Sequence, residues 1–93
     1  MSDRKIKVLL VDDHVVVRMG LKAIVDLEND LEVVGEAANG EDALKLIRQL
    51  KPDVAVVDLM MPKMNGVETT SAISQDFKNT KVLILKHCNH VRD

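Results

Sequence analysis

Asp58 closes the apolar run Val54-Ala55-Val56-Val57, and Asp12 and Asp13 close a second run, Val8-Leu9-Leu10-Val11. Unbroken apolar runs of this length read as parallel strands covered on both faces, and parallel sheets carry their ligand sites outside the carboxyl ends of the strands. Three carboxylates delivered to one such corner repel one another, so one holds a proton, the site costs stability, or a cation joins them. A hard cation such as Mg²⁺ fits oxygen donors of this kind. It keeps several waters and is held by one or two carboxylates plus a phosphate, for which Asp13 and Asp58 suffice. An aspartate beside such an ion is also a candidate nucleophile, because carboxylates form aspartyl phosphates and the metal neutralises charge on the phosphoryl group. The competing reading is that these residues cap the helices that follow them, a common role for Asp. Their joint placement behind two apolar strands favours the phosphoryl and metal site.

The elements that must position these side chains alternate along the chain. Ile6 to Val11 reads as a first strand, and Val17, Gly20, Leu21, Ile24 and Leu27 then recur at helical spacing, predicting an amphipathic helix packed on the sheet. Leu31, Val33 and Ala37 alternate with Glu32 and Glu36, which predicts an edge strand lying outside the first. Asn39-Gly40 is a turn signal, and Ala43, Leu44, Ile47 and Leu50 form the next helical stripe. Pro52 ends that helix by pushing Lys51 out of helical dihedrals. A third strand runs from Asp53 or Val54 to Asp58, followed by a loop through Pro62 and Gly66. Val67, Thr70, Ile73 and Phe77 share the face of a weaker helix, and Val82 to Leu85 makes a fourth strand. This alternation predicts an α/β, doubly wound parallel sheet. In the strand order 2-1-3-4 the reversal point falls between the first and third strands, where Asp12, Asp13 and Asp58 emerge.

Composition narrows the functions open to such a chain. With 93 residues, 46% of them hydrophobic, it suits one domain from 1 to 93. A net charge of -2 and a single aromatic residue, Phe77, offer neither an electrostatic footprint nor stacking platforms for nucleic acid. The lone Cys88 makes no internal disulfide, the N-terminal apolar run is too short for a signal-peptide core, and no stretch approaches the roughly 20 apolar residues of a membrane helix. A soluble, cytoplasmic protein without membrane or direct nucleic-acid contact is expected.

The run Lys7-Val8-Leu9-Leu10-Val11-Asp12-Asp13-His14 resembles the receiver domain of bacterial two-component response regulators. So do Pro52 to Pro62 and Met64-Asn65-Gly66-Val67-Glu68. Val17-Arg18-Met19-Gly20-Leu21 and Gly35 to Ala43 are similar to the NarL/LuxR-type subfamily, whose members usually carry a helix-turn-helix DNA-binding domain. The similarity covers about Lys5 to Leu85. It implies a flavodoxin-like sheet, with Asp58 as the phosphoacceptor for a sensor histidine kinase, in a parent protein that controls transcription. It also implies a Mg²⁺ site formed by Asp13 as direct ligand, Asp12 acting through water, Asp58 and the backbone carbonyl of Met60.

The chain departs from that pattern after the fourth strand. Lys86 stands where the family usually places Thr or Ser. The fifth strand with its phosphoryl-pairing Lys, the last helix and an output domain are not found before Asp93, so the fold is expected to be incomplete, with four strands and three helices. Lys86 is accordingly a candidate phosphoryl contact, a point charge on a flexible stem. The open fourth strand predicts self-association, strand exchange into a homodimer, or marginal stability. His87, Cys88 and His90 fall short of a four-ligand zinc site. His14, which could be mistaken for a catalytic base, reads as a residue that contributes to the cap or lies partly exposed. Two other readings stand beside the signalling module, which would transfer and hydrolyse phosphate only slowly. One is a non-signalling remnant or dimerising fragment; the other is a Mg²⁺-dependent phosphohydrolase. The haloacid-dehalogenase group of such hydrolases spaces its two carboxylates Asp-x-Asp, whereas Asp12 and Asp13 are adjacent.

Overall fold

The structure of the chain, a computed structural model, describes residues 4–58 and 66–85. Four strands, β1 (Ile6–Val11), β2 (Leu31–Ala37), β3 (Val54–Asp58) and β4 (Lys81–Leu85), alternate with three helices, α1 (Val15–Asp26), α2 (Gly40–Leu50) and α3 (Gly66–Asp76). All strand pairings are parallel and the order is β2-β1-β3-β4, as the alternation of elements predicts. The two unbroken apolar runs occupy the two central strands. Leu9, Leu10, Val11, Ala55 and Val57 are buried there, each large side chain stabilising the fold by about 1.5–3 kcal/mol relative to exposure. The main core lies on the α2 and α3 side, where Leu9, Val11 and Val57 meet Ala43, Ile47 and Ile73.

Local chemistry explains the boundaries. Asn39 is the N-cap of α2, its side chain accepting from the Asp42 amide at 2.9 Å, so the Asn-Gly turn signal is a helix start. Lys51 leaves the helix as expected before Pro52, but into the left-handed region (φ 49°) rather than an extended one, and its amide donates to the Ile47 carbonyl. β4 begins one residue earlier than its apolar run because the Lys81 amide donates to the Asp53 carbonyl at 2.9 Å.

Two helices differ from expectation. In α1 no residue is fully buried: Ile24 and Leu27 are exposed, Gly20 is exposed too, and Val17, Arg18, Leu21 and Val25 are the half-buried positions. Apolar residues cover a broad arc of this helix, broken only by the charged stripe of Arg18, Lys22 and Asp26, so spacing alone admits two stripes, and packing on β1 and β2 selects the one spaced by four. In α3 Thr69 joins Ile73 in the interior, although Thr is an indifferent helix former. A third detail is legible only in the ladder. β2 carries one extra residue between the pairs Val8↔Val33 and Leu9↔Gly35, so Glu36 falls opposite Leu10 instead of Val11.

Candidate metal and phosphoryl site

β1 and β3 are neighbours and pair in register from Val8↔Val54 to Val11↔Val57, so the residues that follow each strand emerge at the same edge. Asp12 and Asp58 are almost fully buried there, and Asp13 is about a quarter exposed. One ligand atom from each of Asp12, Asp13, His14 and Asp58 can be chosen so that all lie within 4.8 Å of one another. The three carboxylates singled out from the sequence are therefore brought together. Met60 and Lys86, the remaining site candidates, lie outside the described residues, as do His87, Cys88 and His90.

Capping does not account for the carboxylates. The N-cap of α1 is His14, which makes no side-chain cap bond, and α3 starts at Gly66, well past Asp58. Asp12 has a local duty as well. Its Oδ1 accepts from the His14 amide at 2.8 Å, fixing the turn from β1 into α1. The half-exposed His14 ring then folds back over the acids. Its Nδ1 lies 2.9 Å from Asp12 Oδ1, 3.0 Å from Asp13 Oδ1 and 3.9 Å from Asp58 Oδ2. The hydrogen bond to Asp12 and the charge of Asp13 hold the imidazole pKa above its ordinary value. The ring thus stands where positive charge is favoured.

The donor set also fits an ion. Asp13 Oδ1 is buried and, among the described residues, has the imidazole of His14 beside it at 3.0 Å but no hydrogen-bond partner. A buried carboxylate oxygen left in that condition is costly unless a cation or ordered water completes it. Carboxylate oxygens at this density suit Mg²⁺ or another hard divalent ion. Arg18 is the residue that sequence reasoning left without a role. From the first turns of α1 its guanidinium donates to the main-chain carbonyl of Asp12 and, at 3.0 Å, to Glu36 Oε1. A long side chain on a helix leans toward the helix N-terminus, and Arg18 lies four positions beyond His14, which is the signal that would have found it.

Comparison with known proteins gives the family and the fold. The family model of the response regulator receiver domain matches residues 8–92. VraR of Staphylococcus aureus is 48% identical over 80 residues, covering 86% of this chain and 38% of VraR. The response regulator domain of Thermotoga maritima CheB superposes with a TM-score of 0.85 at 39% identity, covering 94% of this chain and 64% of that one. The signal receiver domain of NarL from Mycobacterium tuberculosis gives 0.85 at 36% identity, covering 96% and 70%. The chain thus spans well under half the length of the curated relative it matches. Among its described residues no helix is long and apolar enough to cross a membrane.

Proposed function

The chain belongs to the response regulator receiver family, and from that premise we propose that it accepts a phosphoryl group on Asp58 from a sensor histidine kinase. The observation that carries this reading is the convergence of Asp12, Asp13 and Asp58 at the carboxyl ends of two paired central strands. An Asp58 oxygen attacks phosphorus, the bond from phosphorus to the donor breaks, and the donor leaves with that electron pair. Asp13 and Asp58 would hold the ion directly and Asp12 would act through water, with the backbone carbonyl of Met60 as the further ligand that the family resemblance implies. When bound, Mg²⁺ offsets the negative charge gathered by three carboxylates and a phosphoryl group. Lys86 directly follows β4 and is assigned the phosphoryl contact.

Burial of Asp58 supports the phosphoacceptor role, since a shielded acyl phosphate meets less water and lasts longer. The module is a switch with slow chemistry of its own, and its output in a longer parent protein is control of transcription. Within residues 1–93 it acts as one receiver unit. β4 is an edge strand of the described sheet, which supports pairing with a second copy through that strand; sedimentation tests this, and a clean monomer refutes it.

The decisive experiment incubates the chain with acetyl phosphate and Mg²⁺ and follows its intact mass, with Asp58→Asn as control. A lasting, base-labile phosphoryl adduct that Asp58→Asn abolishes is the expected result. Donor turnover without an adduct would indicate a phosphohydrolase, and neither would indicate a non-signalling fragment. An Lys86→Ala chain labelled at the same rate and with the same lifetime removes that residue from the site.

A further inference from the structure

We propose that Arg18, anchored by Glu36, is a positioning residue for this corner: its guanidinium fork fixes the main chain that presents Asp12 and Asp13. The inference rests on the reading that these carboxylates hold a divalent cation. Asp12 is held at both ends of its main chain. Its amide donates to the Ala37 carbonyl at 3.0 Å, and its carbonyl accepts from Arg18 Nη1. Arg18 Nε in turn donates to Glu36 Oε1, and the Arg18 side chain is only 16% exposed. Both tethers lead to the end of β2, so β2 and α1 together set where β1 delivers its acids.

The arrangement depends on the extra residue in β2. An unbroken ladder would place Glu36 opposite Val11, a core residue on the α2 and α3 side. The slip turns it opposite Leu10, where Arg18 reaches it. An arginine suits this post because one planar fork can serve a carbonyl and a carboxylate at once, whereas a lysine offers a single point charge. Partners that orient a metal ligand without touching the metal typically change metal affinity by about 10- to 100-fold when removed.

The test measures Mn²⁺ affinity of the full chain by electron paramagnetic resonance, beside thermal melting and the rate of acetyl-phosphate labelling. Arg18→Lys is expected to weaken Mn²⁺ binding about tenfold, at the lower end of that range, and to slow labelling in step. Glu36→Gln should do the same to a smaller degree while barely moving the melt. Ile47→Val, which loosens the core far from the corner, should lower the melt and leave Mn²⁺ affinity alone. Wild-type affinity in both Arg18→Lys and Glu36→Gln overturns the proposal, as does an equal loss in Ile47→Val. Should Arg18→Lys fail to fold, Glu36→Gln decides by the same measure. If Asp13→Asn binds Mn²⁺ as tightly as wild type, it is the reading of the corner that fails, and this inference falls with it.

Discussion

β3 has an aspartate at each end, and the two keep different company. Asp53, just before the strand, is answered by donors of the chain's own: the Lys7 amide reaches its Oδ2 at 2.8 Å and Arg4 lies 3.4 Å from its Oδ1. The backbone around it is equally settled, with the Asp53 amide donating to Lys7 and its carbonyl accepting from Lys81. Asp58, at the other end, is gathered with two more carboxylates around one imidazole nitrogen. The nearby arginine, Arg18, serves the Asp12 main-chain carbonyl and the Glu36 carboxylate. A carboxylate matched by fixed donors holds the sheet together. Carboxylates crowded against each other suit a cation.

Four changes probe this division. Asp58→Asn should abolish phosphoryl labelling while leaving the circular dichroism spectrum intact; residual labelling at another residue would break the contrast outright. Asp13→Asn should weaken Mg²⁺ binding by about tenfold or more, because even partners outside the coordination shell cost that much; calorimetric titration measures it. At the quiet end, Thr80→Val removes a buried 2.7 Å bond from Oγ1 to the Pro52 carbonyl and should cost about 1 kcal/mol, seen as a lower urea midpoint with labelling unchanged. His14→Ala gives the smallest effect, a few-fold gain in Mg²⁺ affinity near neutral pH, since its ring lies on oxygens the ion needs. A weaker ion in that variant would make His14 a ligand instead.

How far the sequence revealed this follows from what each signal measures. Runs such as Val54 to Val57 have few alternatives to a buried strand, and a chain that alternates strand and helix has few topologies open to it. The sheet order and the gathering of Asp12, Asp13 and Asp58 were therefore legible. Hydrophobic spacing placed Val17 and Leu21 on the packed side of α1 but also picked Gly20 and Ile24, which are exposed, because apolar residues cover a broad arc of that helix, and it missed Thr69 because burial there is a matter of tertiary fit. The Arg18 to Glu36 link escaped for a different reason. It depends on a one-residue slip in β2, and nothing in Leu31 to Ala37 announces where a ladder will skip.

The shallow seating of α1 has a dynamic consequence. A helix with no fully buried side chain, no acidic residue in its first turn and no side-chain cap is held chiefly by its half-buried stripe. Its amides should exchange with deuterium well before those of β1 and β3, in a local opening that leaves the sheet standing. Each such opening withdraws a guanidinium from the rim of the acidic corner, so solvent exchange at one helix becomes a clock for how often the site loses its shape.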